Sequence, residues 1–470
     1  MAEDARGDKM ADNVNLRKIA LDILIEMEDI EKRQLSTIKR VLDHYDYLDA
    51  QSKSFIKYLA EGTVERKITL DYVINEFSKT PTTKMAVPIL CILRMGAYQI
   101  LFMNSVPDSA AVNEAVKLTG KMHFFGLKGF VNAVLRNIAR KKEKISWPSV
   151  GESNESRAEY LSVRYSEPKW LAEMWLNDYG FEKTREMFRF FLKPRPVTIR
   201  FARRLDAEAL KELIGRMKKA NNGKIEMKVN DLLPYAMELS HTDNIRYVPG
   251  FDEGAFFVQD VSSMLVCDLA DFKRDGFVID VCAAPGGKSL HASDKLKGTG
   301  RVIARDISEN KCMVIRENVQ RMRVENIVVE AYDAEKHDTN MENKADVLLC
   351  DLPCSGLGVI GRKPDIKMNT GEDAILNLQQ KQRSILEAVW SYVKPGGIMM
   401  FSTCTVAKEE NEDNVEWILK NYPFEPVDFT DKLPEKMRNI ETAKNGYIQI
   451  LPGEYGTDGF FIAKLRRKDD

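Results

Sequence analysis

The sequence has little of what a metal site, a disulfide framework or a membrane anchor requires. Its 470 residues include five histidines and seven cysteines, with no CxxC pair and no His/Cys cluster, which disfavours a zinc site. The odd number of scattered cysteines is typical of reduced thiols in a cytoplasmic protein. No apolar run approaches the roughly 20 residues that span a bilayer, and the polar start of the chain is unlike a signal peptide. We therefore expect a cytoplasmic protein without a metal and without a membrane partner.

The sequence also lacks an excess of positive or negative charge. Lys and Arg total 70 against 71 for Asp and Glu, so the net charge of -1 offers no global argument for nucleic-acid binding. Any basic surface must therefore be local. A hydrophobic content of 44% over this length predicts two or three domains, each with a core of its own.

The pattern along the chain divides it into four segments. Residues 13–145 carry apolar residues at helical spacing with few glycines and prolines, which predicts an all-α domain. Residues 146–159 combine Pro, Gly, Ser and Asn, which is typical of a linker. Mixed signals over residues 160–254, with helices at 169–179 and 182–192, predict a small α+β connecting domain. Residues 255–467 alternate strand and helix patterns, which predicts an α/β Rossmann-like domain with a doubly wound parallel sheet.

A turn rich in small residues follows the first strand of this last segment. The strand candidates are residues 277–281, 301–305, 327–331, 346–350, 397–402 and 459–465. After the first strand, Ala283, Ala284, Gly286 and Gly287 allow a ligand to approach the backbone. The next helix presents free N–H groups to an anionic group such as a carboxylate. Neither a GxxxxGKS/T pattern nor GxGxxG spacing is present in this turn, which disfavours a phosphate-binding loop and a nicotinamide site.

Acidic residues mark the ends of the first four strands. They are Asp280, Asp306, Asp333 and Asp351. Ligands of such sheets bind outside the carboxyl ends of the strands, so we expect all four to face one crevice. Asp306 lies about twenty residues beyond the turn, where α/β sites place an acid that binds ribose hydroxyls. A plain turn with solvated acids is the alternative, and four successive strands ending in Asp disfavour it.

Two cysteines follow adjacent central strands at the same carboxyl edge of the predicted sheet. Cys354 comes after the fourth strand and Cys404 after the fifth. A lone buried cysteine is most often a small hydrophobe, and we interpret Cys91, Cys267, Cys282, Cys312 and Cys350 in this way or as bystanders in loops. Two thiols beside a ligand site suit nucleophilic chemistry instead. A thiolate that adds to carbon 6 of a pyrimidine makes carbon 5 nucleophilic towards a methyl donor, and Asp351 is placed to support the charge near N3.

Three motifs carry a resemblance to a known family. They are DVCAAPGGKS at 280–289, DLPCSGLGVIGRKPDIK at 351–367 and STCTVAKEENEDNV at 402–415. Together they resemble the RNA cytosine-C5 methyltransferases of the NOL1/NOP2/Sun family. The resemblance implies that Cys404 is the nucleophile and that Cys354 assists product release. It implies S-adenosyl-L-methionine as cofactor, with contacts from Cys282, Ala283, Ala284, Pro285, Gly286, Gly287, Lys288, Asp306, Asp333 and Asp351. Leu352, where Ala is usual, and Arg305, before the ribose-binding acid, are departures from the family pattern.

The helical segment carries a second resemblance. SVPDSAAVNEAV at 105–116 and GFVNAVLR at 129–136 resemble the NusB-like RNA-binding domain. This domain joined to the catalytic motifs is similar to the bacterial RsmB (Sun) type. The resemblance implies 16S ribosomal RNA, free or in a small-subunit precursor, as substrate, one cytosine as target, no DNA partner and a monomer.

Local basic clusters are the candidates for RNA contact. The residues we select from them are Arg136, Arg140, Arg200, Arg362 and Lys363. A solvated basic face is the alternative for the helical cluster. Two rival functions are a DNA cytosine methyltransferase, in which the cysteine of the PC motif is the nucleophile, and a non-catalytic RNA-binding assembly factor. The second thiol, Cys404, disfavours the first rival, and the presence of both thiols and all four acids disfavours the second.

Overall fold

The computed structural model describes residues 14–29, 34–242 and 244–469. The chain forms two compact units. Unit 1 comprises Met1–Leu192 and Ile360–Gly371, and unit 2 comprises Lys193–Val359 and Glu372–Asp470. No helix in the described ranges is long and apolar enough to cross a lipid bilayer.

Unit 1 is helical in its described residues, as predicted for the N-terminal segment. Its longer helices are α1 (Leu16–Glu26), α2 (Leu35–Asp43), α3 (Ala50–Glu65), α4 (Lys67–Phe77), α5 (Val87–Phe102), α6 (Asp108–Lys121), α7 (Lys128–Lys141), α8 (Asn154–Tyr165) and α9 (Lys169–Phe191). A single helical turn, Ile366–Asn369, lies in its second segment. Side-chain caps fix several helix starts: Asn15 accepts the Lys18 amide at α1, and Asp49 accepts the Ser52 amide at α3. Helix α5 is buried over most of its surface and forms the centre of the core.

Helices α8 and α9 bear on the predicted segment boundaries. Helix α8 begins at Asn154, within the stretch 146–159 interpreted as a linker. Gly180, with φ of +73°, divides α9 at the point where the sequence predicted two helices. The four-segment division of the chain stays a prediction.

Unit 2 contains two sheets. The smaller one is antiparallel and consists of β1 (Val197–Phe201), β2 (Glu226–Val229), β3 (Ala236–Ser240) and β4 (Phe256–Val258), with helix α10 (Ala207–Lys219) after β1. Its strand order is β2-β3-β1-β4. This sheet with its helix agrees with the α+β character predicted for the connecting segment.

The larger sheet carries the Rossmann-like fold. Its elements are α11 (Val261–Leu269), β5 (Phe277–Asp280), α12 (Gly287–Lys295), β6 (Arg301–Asp306), α13 (Glu309–Met322), β7 (Ile327–Ala331), β8 (Ala345–Asp351), α14 (Glu372–Val389), β9 (Val393–Thr403), α15 (Glu412–Asn421), β10 (Phe424–Pro426), β11 (Tyr447–Ile450) and β12 (Phe460–Arg467). The strand order is β10-β12-β9-β8-β5-β6-β7, and β11 pairs with β12. Strands β5 to β9 are parallel, so their carboxyl ends share one edge.

The sheet is mixed rather than wholly parallel, which corrects the prediction. Strand β12 runs antiparallel to β9, β10 and β11. The apolar run of β12 is buried on both faces, a pattern that in sequence is typical of a parallel interior strand. The short strands β10 and β11 were not predicted, because three or four residues with polar interruptions give no clear alternation.

Candidate active site

Two backbone amides of the turn after β5 are hydrogen-bonded to residues at the end of β6. The Ala284 amide donates to Asp306 Oδ2 at 3.0 Å, and the Ala283 amide donates to the carbonyl of Arg305 at 2.8 Å. Gly286 has φ of +102°, a backbone conformation that favours glycine, and α12 begins directly after it. The predicted small-residue turn and the predicted acid of β6 therefore lie together at the carboxyl edge of the sheet.

Asp280 is the most deeply buried acid of this edge. It is 1% exposed and accepts the Ser289 hydroxyl at 2.6 Å. Burial, reinforced by the negative charges of Asp351 and Asp306, raises the pKa of Asp280 to about 7. These mutual effects bring three of the four predicted acids together in one electrostatic environment that favours a cation.

Asp333 lies farther along the sheet. It follows β7, two strands from β5 in the strand order, and its side chain is 29% exposed. Its carboxylate accepts the amide of Glu335 at 3.1 Å. Asp333 thus occupies the predicted edge of the sheet but is not among the groups that shift the pKa of Asp280.

Asp351 is held from two sides at the end of β8. Lys288 Nζ donates to Asp351 Oδ2 at 2.6 Å, and the Ser402 hydroxyl donates to Oδ1 at 2.8 Å. Burial disfavours the charge of Lys288, but the attraction of Asp351 and Asp280 outweighs burial and raises the lysine pKa. The carboxylate therefore has a fixed orientation and a permanent counter-charge.

The two predicted catalytic cysteines lie in contact. Their Sγ atoms are 3.1 Å apart. The hydrogen bond to Cys404, together with burial, raises the pKa of the Cys354 thiol well above its usual range. Cys354 therefore keeps its proton and is able to donate it in a hydrogen bond to the Cys404 sulfur.

A buried polar network joins the loops that carry these thiols. The Gly358 amide donates to the Cys404 carbonyl at 3.0 Å, and the Ser355 and Thr405 hydroxyls are 2.7 Å apart. Glu410 Oε2 accepts the Ser355 amide and the Gln382 side-chain amide, both at 2.9 Å. Neither Glu410 nor Gln382 was predicted as a site residue. Glu410 lies within the motif at 402–415, which was the available signal, whereas no motif or pattern marks Gln382.

The remaining cysteines do not share this environment. Cys91, Cys267, Cys312 and Cys350 are buried, in agreement with the interpretation of these residues as core thiols. Cys282 is half-buried in the turn after β5, and burial raises its pKa well above the usual thiol range. No group of three or more His, Cys, Asp or Glu side chains in the described parts of the chain is arranged to hold a metal ion.

The departure at Arg305 has a structural explanation. Its side chain is buried and pairs with Glu330 at 2.8 Å and Asp338 at 2.7 Å. The guanidinium also lies over the Tyr332 ring, 4.3 Å from its centroid. Arg305 therefore ties β6 to β7 and the loop beyond it, while Asp306 faces the turn.

The candidate RNA-binding residues fall in different environments. Arg136 and Arg140 are both exposed on α7, and Arg362 and Lys363 are exposed in the segment that belongs to unit 1. Arg200 is 2% exposed, and its guanidinium pairs with Asp294 and Gln259. This burial contradicts the predicted RNA contact of Arg200, because the guanidinium is committed to the interior of unit 2.

Comparisons with known proteins identify the family. The 16S rRNA methyltransferase RsmB/F family matches residues 268–466, and the NusB family matches residues 14–140. A probable ribosomal RNA small subunit methyltransferase B of Bacillus subtilis is 36% identical over 457 residues, which cover 97% of this chain and 99% of the relative. The chain belongs to the RsmB/F family of 16S rRNA methyltransferases.

Other relatives of this RsmB/F methyltransferase extend the match. The ribosomal RNA small subunit methyltransferase B of Cronobacter sakazakii is 29% identical over 98% of this chain and its whole length. The crystal structure of PH0851 shares the fold over 96% of this chain and 99% of its own, with a TM-score of 0.76 and 24% identity. NSun6 from Pyrococcus horikoshii, solved with SFG, shares the fold over 64% of this chain and 99% of its own, with a TM-score of 0.55 and 22% identity.

The family is S-adenosylmethionine-dependent, and the residues present fit that cofactor. Its net positive charge suits an edge where Asp280, Asp306 and Asp351 converge. One oxygen of Asp280, Oδ1, is buried without a hydrogen-bond partner among the described residues. A Cβ atom on Gly287 would lie 3.0 Å from the Phe257 ring, so even alanine would require that ring to shift.

Proposed function

We propose that this RsmB/F methyltransferase transfers a methyl group to carbon 5 of a cytosine in 16S rRNA through a covalent bond between Cys404 and carbon 6. The contact between Cys354 and Cys404 carries this proposal, since their sulfur atoms are 3.1 Å apart at the mouth of the parallel sheet. Methylation of an exocyclic amine or a ribose hydroxyl has no use for a thiol, whereas carbon 5 of cytosine needs one.

Each reacting group has a defined part in the proposal. The Cys404 thiolate adds to carbon 6, and the electron pair displaced toward carbon 5 makes that carbon nucleophilic. N3 of the base, where negative charge develops, takes a proton from solvent water, and the Asp351 carboxylate accepts a hydrogen bond from the resulting N3–H. Lys288, 2.6 Å from Asp351, balances the charge of the carboxylate. When bound, S-adenosylmethionine supplies an electrophilic methyl group. The methyl joins carbon 5 as its bond to the donor sulfur breaks, and the carbon 5 proton then leaves to solvent water. The bond between carbon 6 and Cys404 breaks as N3 returns its proton to water, which restores the cytosine ring.

Cys354 assists the last of these steps. As the bond to carbon 6 breaks, electrons return to the Cys404 sulfur. The protonated Cys354 thiol stabilises the departing sulfur by a hydrogen bond, since burial and Cys404 keep its pKa high. A variant without this donor holds the RNA adduct for longer.

The turn after β5 and the strand ends form the proposed cofactor site. We assign the contacts to Cys282, Ala283, Ala284, Pro285, Gly286, Gly287, Lys288, Asp306, Asp333 and Asp351. Asp306 is the proposed ribose contact, and its hydrogen bond from the Ala284 amide places it beside the turn. The proposed RNA contacts outside the catalytic edge are Arg136, Arg140, Arg362 and Lys363.

The experiment combines the purified chain with labelled cofactor and either 16S rRNA or DNA of the same sequence. We expect 5-methylcytosine in the RNA alone, read by bisulfite sequencing. On denaturing gels, Cys354→Ala should give a protein–RNA adduct, and Cys404→Ala should give neither adduct nor methylation. Equal adduct yields from the two variants, or methylation of another atom, would contradict the proposal.

A further inference from the structure

The loop that carries Cys354 runs directly into a segment of unit 1. The loop ends at Val359, and the next residues, Ile360–Gly371, belong to the helical unit. The chain then returns to unit 2 at Glu372, the first residue of α14. The helical unit therefore holds an insertion that starts six residues after Cys354.

Lys367 lies at the centre of the interactions that hold this insertion. Its side chain is 3% exposed, and Nζ donates to the Glu65 carbonyl at 2.8 Å and the Ser166 carbonyl at 2.6 Å. Glu65 is the last residue of α3, and Ser166 caps the C-terminus of α8. Helix C-termini carry unsatisfied carbonyls and partial negative charge, so a single ammonium group satisfies two helix ends.

A buried carboxylate completes the environment of this lysine. Glu167 is fully buried, and its Oε1 lies 3.3 Å from Lys367 Nζ. Burial raises the pKa of Glu167 to about 7 despite the opposing charge of Lys367. Two neighbours of Lys367 add further attachments: the Leu35 amide donates to Asp365 Oδ2 at 3.2 Å, and Met368 packs against the core of unit 1.

Stability alone does not account for a buried lysine at this position. Replacement of a buried ion pair by apolar side chains of similar size is often neutral or stabilising, so we attribute this pair to the geometry that it imposes. Three oxygens from three different residues surround the ammonium group, which fixes the insertion in one register. The insertion is covalently continuous with the Cys354 loop.

We propose that Lys367 is a positioning residue that locks the insertion into the helical unit and thereby holds Cys354 in place for release of the methylated RNA. The inference rests on the proposed role of Cys354. It assigns the helical unit a part in the catalytic cycle in addition to RNA binding.

The test compares Lys367→Met with the double variant Lys367→Met/Glu167→Met. The double variant leaves no unpaired buried carboxylate and keeps the unit folded, as circular dichroism should show. Lys53 lies on helix α3, which also ends in Glu65, and Lys53→Met, which removes a surface pair with Asp46 in the preceding loop, is the matched control. Cys354→Ala is the reference for adduct accumulation.

We expect both Lys367 variants to accumulate at least fivefold more RNA adduct than the unmodified protein, with cofactor affinity unchanged. Trypsin should cut after Arg362 at least fivefold faster in both, and Lys53→Met should match the unmodified protein. If Cys354→Ala accumulates adduct while the folded double variant releases RNA normally, Lys367 does not position Cys354. If Cys354→Ala accumulates none, the proposed role of Cys354 fails; unchanged trypsin cleavage independently overturns the locking of the insertion.

Discussion

Cys354 and Cys404 share one hydrogen bond, with their sulfur atoms 3.1 Å apart at the carboxyl ends of two neighbouring parallel strands. Two thiols at this distance do not lose their protons independently, because the second thiolate would face the first. The raised pKa of Cys354 assigns the retained proton to that residue. The pair is therefore asymmetric before any RNA binds.

Removal of the Cys354 donor should raise the pKa of Cys404. A hydrogen bond to a charged group contributes about 1.5–3 kcal/mol, which corresponds to roughly one to two pH units. We expect the pH profile of Cys404 alkylation by iodoacetamide, followed by peptide mass spectrometry, to move upward by that amount in Cys354→Ala. Cys354→Ser keeps a donor and should restore most of the shift. An unchanged profile in Cys354→Ala would mean that the two sulfurs do not share a proton.

Substitution of Asp351 should lower the methylation rate far more than substitution of Ser402, whose hydroxyl orients the carboxylate. In Asp351→Asn the carboxylate and its ion pair with Lys288 are lost, and we expect the single-turnover rate to fall by about 10²–10⁴. Ser402→Ala removes one neutral donor and leaves the Lys288 contact, so a loss of about fivefold is expected. Rates are measured at saturating RNA and cofactor. Similar losses in both variants would argue against a special part for Asp351.

The sequence predicted which residues meet at the carboxyl edge of the sheet, because neighbouring parallel strands end at the same edge. Once β8 and β9 are adjacent and parallel, Cys354 and Cys404 follow their carboxyl ends without further information. Asp306 was predictable for the same reason. The family motifs added the roles of these residues, but their convergence follows from strand order.

The buried polar contacts around the site and in the insertion were not predictable from the sequence. Glu410 meets Ser355 across 55 residues of chain, and Lys367 meets Glu167 across 200. A buried polar contact of this kind depends on tertiary packing, which hydrophobic periodicity does not encode. Arg200 was predicted as an RNA contact because it lies in a basic stretch. Strand β1 is buried on both faces along its centre, however, so the side chain of Arg200 points inward.

Substitution of Arg305 should lower the stability of the protein and leave its affinity for the cofactor unchanged. In Arg305→Met, Glu330 and Asp338 lose their shared partner, and both carboxylates are partly exposed. We expect the free energy of unfolding to fall by about 1–3 kcal/mol, below the cost for a fully buried pair. Chemical denaturation measures this change, and isothermal titration should show cofactor affinity within about twofold of the unmodified protein. A tenfold loss of affinity with unchanged stability would place Arg305 in the site instead.

Asp280 should make cofactor binding depend on pH. Its pKa of about 7 means that the carboxyl is mostly protonated at pH 6 and mostly ionised at pH 8. The ionised form attracts the net positive charge of S-adenosylmethionine, so affinity should rise as pH increases through 7. If the bound cation lowers this pKa by one unit, the gain is up to about tenfold, or ~1.4 kcal/mol. Titration calorimetry at pH 6, 7 and 8 should show the gain relative to Asp280→Asn, since the comparison cancels titration of the cofactor itself. A constant ratio of the two affinities across this range would show that Asp280 does not titrate near neutrality.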